Sequence, residues 1–213
     1  MANDVSIATF TEPNFGENAF VVSADKLCWI VDPGLPPSAA QIVQYITKHH
    51  LKPTALILTH GHADHIAGVP EILSAFPSLP VHISKEAQPA LTEPRENLSS
   101  DLGLPLRVDV VNIVELAAAS QLELGSSSWR IFDTSGHAPG SRSLYCAAAG
   151  LVIVGDALFH SSIGRTDFPH SNHEQLISNI HEHLLSLPDE TKVYSGHGPV
   201  TTIGRERKHN PFL

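Results

Sequence analysis

Residues 59–68 read Thr-His-Gly-His-Ala-Asp-His-Ile-Ala-Gly. His60, His62, Asp64 and His65 place four possible metal ligands within six consecutive positions. Imidazole nitrogen and carboxylate oxygen suit zinc, and also iron or manganese. The apolar run Ala55-Leu56-Ile57-Leu58 comes just before and reads as a buried strand. The cluster therefore falls on the loop at a strand's carboxyl end, where open α/β sheets place their active sites. A loop has no helical repeat to obey, so neighbouring side chains can point at different targets. Four polar residues on a solvated loop is the competing account; such density directly after a strand argues against it.

Four residues do not complete two metal sites, and three further positions could. His137 lies in Thr134-Ser135-Gly136-His137-Ala138-Pro139-Gly140, after a strand ending near Asp133. Asp156 follows Leu151-Val152-Ile153-Val154-Gly155, and His197 lies in Ser195-Gly196-His197-Gly198 after Val193-Tyr194. Each stands at a strand end beside glycine, which lets the backbone turn sharply and approach a site closely. A lone strand-end histidine is ordinarily scaffolding, but here one pattern recurs four times.

Those residues need strands to carry them. Strand-like runs cover about 5–10, 18–23 and 27–31, and a helix is predicted over 36–51 with Ser38 as N-cap and Ala39, Ile42, Val43 and Ile46 on one face. A second helix is predicted over 66–76 and a strand over 81–83. Segment 84–106, broken by Pro89, Pro94, Gly103 and Pro105, reads as short helices and loops shaping one wall of the site. Strands follow near 108–114, 121–124 and 128–133, then a hairpin of 141–147 and 151–155. An amphipathic helix spans 172–187, and a strand at 193–194 precedes a short helix over 204–209. Strand runs punctuated by helices in two halves predict helices covering packed sheets.

The chain has 213 residues, 42% hydrophobic and 16% charged, consistent with one folded domain over 1–213. A net charge of −9, with Lys and Arg few and scattered, argues against a nucleic-acid surface. No segment approaches the ~20 apolar residues of a membrane span, and nothing resembles a leader, so a cytoplasmic location is expected. Cys28 and Cys146 read as buried packing thiols. No feature sets an oligomeric state. The fourteen histidines are the composition figure that points to metal.

His-x-His-x-Asp-His, then a distant Gly-His, Gly-Asp and Gly-His, resembles the metallo-β-lactamase superfamily over nearly the whole chain. The resemblance implies an α/β fold, a four-layer αββα sandwich with a dinuclear site at one edge. It implies two divalent metal ions, with zinc favoured over iron or manganese. His60, His62 and His137 would hold one, Asp64, His65 and His197 the second, and Asp156 would bridge them. Asp32 matches the family's structural aspartate and supports the ligands. His62 speaks against the flavodiiron branch, which carries Glu there. The runs Gly155-Asp156-Ala157-Leu158-Phe159, Gly164-Arg165-Thr166-Asp167-Phe168-Pro169 and Gly196-His197-Gly198-Pro199 resemble compact glyoxalase II-like (hydroxyacylglutathione hydrolase-like) enzymes. That implies hydrolysis of a small-molecule thioester such as S-lactoylglutathione by a metal-bridging hydroxide, with Asp64 orienting it. Sixteen residues follow His197, so the helical glutathione-binding extension is expected to be missing or nearly so.

Arg165 could bind a substrate carboxylate, in competition with local pairing to Asp167. His160 could line the pocket or serve its loop. Phe15 and Phe20 could border the mouth, though loop packing is the more economical role. His173, His181 and His183 are expected on exposed helix surface, and His49 and His50 at a helix end where their charge suits the dipole. Three rivals remain: a mononuclear-iron persulfide dioxygenase using His60, His62 or His137, and Asp156; a lactone or β-lactam hydrolase; and a metal-stabilised scaffold without activity.

Overall fold

The computed structural model describes residues 5–101 and 103–213. One sheet holds β1 (Ser6–Thr11), β2 (Asn18–Ala24), β3 (Leu27–Val31), β4 (Lys52–Ile57), β5 (Val81–Ile83) and β6 (Ile113–Glu115), in that order. The second holds β7 (Gln121–Leu124), β8 (Ser127–Asp133), β9 (Arg142–Cys146), β10 (Leu151–Gly155), β13 (Lys192–Ser195) and β14 (Thr201–Thr202), ordered β14-β13-β10-β9-β8-β7. A small hairpin, β11 (Leu158–Phe159) and β12 (Ser162–Ile163), stands apart.

Strand alternation builds the layers. On β2 and β3, Val21, Cys28 and Ile30 pack towards α1 (Ser38–His49) and α3 (Val69–Ala75). Their neighbours Phe20, Val22, Trp29 and Val31 face the other sheet, meeting Trp129, Ile131, Leu144 and Ile153. The Trp29 and Trp129 rings lie 5.4 Å apart across this interface. On β9 and β10, Tyr145, Val152 and Val154 turn outward onto α5 (His173–Asn179) and α6 (Ile203–His209) through Leu176 and Ile203. Strands covered on both faces are apolar at nearly every position, because a period of two puts alternate side chains into different cores. The result is the four-layer αββα sandwich.

The directions of the strands place the site. β3 and β4 are parallel, as are β10 and β13. β8 is antiparallel to β9, which is antiparallel to β10, so β8 runs with β10. The carboxyl ends of these five strands consequently share one rim.

Several local expectations are corrected, while those for segment 84–106 and for the two cysteines stand. Ser38 is the first helical residue of α1, not its cap: Pro37 holds the cap position, and the Ser38 hydroxyl has no hydrogen-bond partner among the described residues. The helix expected over 66–76 is two pieces, α2 (Ala63–Ile66) and α3, with Gly68 between them. Only Ile113–Glu115 of the strand expected near 108–114 pairs with a neighbour. The helix expected over 172–187 is α5 followed by a π turn, Ile180–Leu184, closed by Leu185 N–H donating to the Ile180 carbonyl at 2.8 Å. That extra residue in the turn keeps Leu184 and Leu187 in the core. Segment 84–106 contains a 3₁₀ turn at Lys85–Ala87, α4 (Pro89–Thr92) and further turns. Cys28 and Cys146 are free and buried in different layers, and burial pushes the Cys28 thiol up to about 12. No helix among the described residues is long and apolar enough to cross a membrane.

Candidate metal centre

The shared rim gathers the seven side chains. His60, His62 and His137 form one group whose ring nitrogens lie within 4.8 Å of one another, and Asp64, His65 and His197 form another. Asp156, arriving from β10, stands between them. Its Oδ1 is 3.4 Å from His65 Nε2, and its Oδ2 is 3.5 Å from the Nε2 atoms of both His137 and His197. His197 Nε2 lies 3.2 Å from Asp64 Oδ2. A methyl group on Gly196 would strike Asp156 Oδ1 and crowd the His65 ring. Glycine before His197 is therefore a steric requirement of the site.

Asp32 orients the rings from behind. It sits at φ 45°, fully buried. Its Oδ1 accepts the Thr59 amide at 2.8 Å, and its Oδ2 accepts the Thr59 hydroxyl at 2.6 Å and His65 Nδ1 at 3.1 Å. With its proton committed to Asp32, the Thr59 hydroxyl can only accept from His60 Nδ1, 3.1 Å away. Asp32 thus orients both rings so that each Nε2 points to the centre. A third group by distance alone contains Asp32, His60 and His65, but the Asp32 oxygens are already engaged in these bonds. His137 Nδ1 donates to the Arg165 carbonyl at 2.8 Å and His197 Nδ1 to the Phe15 carbonyl at 3.2 Å, which sets their outward nitrogens likewise.

The donor set fits a pair of cations. His60 Nε2, His65 Nε2 and Asp156 Oδ1 are buried without a hydrogen-bond partner among the described residues, although they face one another. Buried polar atoms ordinarily find partners, and converging imidazole and carboxylate donors match divalent metal. The crowding sets the charges of these groups apart. Burial, then the positive character of His65 and His62, holds His60 far below the usual imidazole range, while burial and His137 push His62 down to about 3. Burial also opposes charge on His65, yet Asp156 and Asp64 together outweigh it and raise that ring well above its usual value. Burial acts against the charged carboxylates of Asp64 and Asp156 too, and the surrounding histidines, His65 foremost, hold both low.

The centre forms the floor of a cleft of about 420 Å³. Phe15, Leu35, Leu98, Phe159 and Phe168 supply its apolar walls. Arg165 is also at the mouth, but its Nε and Nη2 donate to the two oxygens of Asp167 at 2.9 and 2.8 Å, so the local pairing is formed. Phe15 does border the mouth and is half exposed, whereas Phe20 is buried between the sheets against Tyr194. His160, His173 and His181 are exposed, and His183 stacks on Phe132. The His49 ring packs tilted against Tyr45 at the end of α1, and His50 closes that helix in the left-handed region.

Sequence reasoning missed two supports. Asn18 donates its backbone amide to the Gly196 carbonyl and its side chain to the carbonyls of Ser195 and Gly198, tying the first sheet to the His197 loop. Asn97, fully buried, accepts the Ala63 amide on its carbonyl and so fixes segment 84–106 against the 60–65 loop. Neither has a local signal. Leu98 and Leu35 likewise look like ordinary loop residues in the sequence.

The family model "Metallo-beta-lactamase superfamily" matches residues 13–197. The chain belongs to that superfamily. It is 39% identical over 197 residues to the probable metallo-hydrolase YqgX of Bacillus subtilis, covering 92% of each chain. It is 33% identical over 201 residues to the hydroxyacylglutathione hydrolase GloC of Haemophilus influenzae, covering 93% of each. Among solved structures, the BLEG-1 B3 metallo-β-lactamase superposes with a TM-score of 0.90 at 37% identity, covering 98% of this chain and 99% of that one. TTHA1623, in a di-iron-bound form, superposes with a TM-score of 0.86 at 32% identity, covering 97% and 100%.

Proposed function

We propose that this protein is a metal-dependent hydrolase of thioesters, of the hydroxyacylglutathione hydrolase type. His60, His62 and His137 would hold one divalent cation and Asp64, His65 and His197 a second, with Asp156 between them. The observation that carries this is the Asp156 carboxylate, one oxygen towards His65 and the other between His137 and His197. Zinc is the metal assigned, on the nitrogen-rich donor set; the di-iron form of TTHA1623 makes iron the alternative to be measured. The likeness to GloC supports the thioester as substrate class.

Two cations held there would supply a water of lowered pKa and positive charge opposite the scissile carbonyl. Asp64 is the most open of the three carboxylates at the centre, with its side chain 22% exposed, and is placed to accept a hydrogen bond from the attacking water. Asp32 and Thr59 keep His60 and His65 from rotating away. Hydrolysis forms a carbon–oxygen bond to water and breaks the carbon–sulfur bond. The thiolate leaves without needing a proton, so the reaction needs no general acid.

A second reading is β-lactam hydrolysis, favoured by the likeness to BLEG-1. The same centre would attack a lactam carbonyl, but an amine leaving group demands a proton.

Elemental analysis paired with turnover of S-lactoylglutathione, neutral thioesters and a β-lactam separates these. Two equivalents of metal with thioester turnover are expected. Asp156→Ala should lose metal and activity together; full activity at normal metal stoichiometry in that variant would defeat the assignment. Turnover of the β-lactam alone would favour the second reading.

A further inference from the structure

Segment 84–106 delivers one unusual residue to the cleft. Leu98 has φ 65°, a left-handed conformation that costs a branched side chain free energy and persists only when its surroundings impose it. They do. Asn97 on one side donates to the carbonyls of Ala90 and Leu106 at 2.8 and 3.0 Å, and its Oδ1 accepts the Ser99 amide at 3.0 Å. Ser99 on the other side accepts the Leu106 amide on its hydroxyl at 2.8 Å. The backbone is pinned before and after Leu98, and the isobutyl group is left lining the cleft, half-buried.

The rest of the mouth matches it. Leu35, Phe15 and Phe159 are apolar, and among the described lining residues outside the metal centre Arg165 is the one cation. Its fork is taken by Asp167 and its guanidinium lies 4.4 Å from the centroid of the Phe168 ring. Asp101 adds negative charge to the same rim. Outside the metal centre, a substrate arm rich in carboxylates meets one cation, already paired with Asp167, whereas an alkyl arm finds apolar walls.

We infer that this cleft selects thioesters whose arms are apolar and uncharged, with Leu98 as the residue that sets the selection. The inference rests on thioester hydrolysis as read above and replaces glutathione with an uncharged thiol arm as the preferred substrate.

The test uses the metal-loaded protein and a series of N-acetylcysteamine thioesters from acetyl to octanoyl. In the unmodified protein kcat/KM should rise about two- to fourfold per added methylene until the cleft is filled, the expectation for burying CH₂ groups. Butanoyl-N-acetylcysteamine should be hydrolysed more efficiently than S-lactoylglutathione. Leu98→Asn tolerates the left-handed backbone but replaces the apolar group. It should flatten the series and lower kcat/KM for the octanoyl ester about tenfold or more, mainly through KM. Calorimetry with the matching S-alkyl thioethers, which have no scissile carbonyl, supplies a readout separate from turnover: Kd should fall with chain length in the unmodified protein and not in Leu98→Asn. A flat series in both readouts, or a tenfold preference for the glutathione thioester, overturns the inference while leaving thioester hydrolysis intact. Graded thioether binding without turnover of any thioester overturns the thioester reading instead.

Discussion

The Nδ1 of His62 lies 2.9 Å from the Nε2 of His137. His137 commits its ring proton to the Arg165 carbonyl, so its Nε2 turns a lone pair towards the His62 ring. Burial keeps both rings from charging, reinforced at His62 by the neighbouring His137 and at His137 by His65. Two neutral imidazoles this close, from positions 75 residues apart, are arranged for one shared cation.

Removing metal should therefore cost stability as well as activity. A cation at about 1,000 times its Kd stabilises the folded chain by roughly 4 kcal/mol, which corresponds to a Tm shift on the order of 10 °C for a chain of this size. Calorimetric melting with and without a chelator measures it, and equal Tm values would remove the metal from the account of the fold.

Gly196→Ala should disable the centre without unfolding the chain. The new methyl would press on Asp156 Oδ1 and His65 from the middle of the site. Displacing reacting groups by about 1 Å typically costs about 100-fold. The expected result is a loss of that order in kcat/KM with an unchanged circular dichroism spectrum. An active, fully metallated variant would show that the loop has room.

Asp32→Ala removes the acceptor shared by Thr59 and His65. Loss of such a support ordinarily lowers metal affinity about 10- to 100-fold. Competition with a chromogenic chelator gives the affinity directly. Asp32→Asn should recover part of it, because the amide oxygen can still accept one of the bonds.

Glu17 yields a pH prediction. Its side chain is fully buried, and neither oxygen has a hydrogen-bond partner among the described residues. Burial raises its carboxyl to about 9, well above the unfolded value of about 4.5. The folded chain holds this proton where the unfolded chain has lost it. The contribution to stability is fully present below about pH 4.5 and declines as pH rises to about 9, at about 1.4 kcal/mol per pH unit. Glu17→Gln should abolish that decline, so the variant's advantage over the unmodified protein should widen from pH 5 to pH 9. Urea titrations at four pH values test this, and parallel curves would refute it.

The run from His60 to His65 was legible because its side chains are contiguous and follow an apolar strand, and the glycine-flanked positions 137, 156 and 197 repeated that pattern. Strand and helix types were largely legible from periodicity. Boundaries failed where tertiary contacts overrode local preference: at Ser38, which the chain carries one residue inside α1, and in 108–114, where β5 offers pairing partners only to Ile113–Glu115. The sequence by itself determined which residue types stand at strand ends, since alternation and turn chemistry are local properties. Only the tertiary structure decided that five strand ends meet at one rim, that Asp156 faces both histidine groups, and that Asn97 turns Leu98 into the cleft. Those relations join residues tens of positions apart, and nothing in a local pattern encodes a distance across the fold.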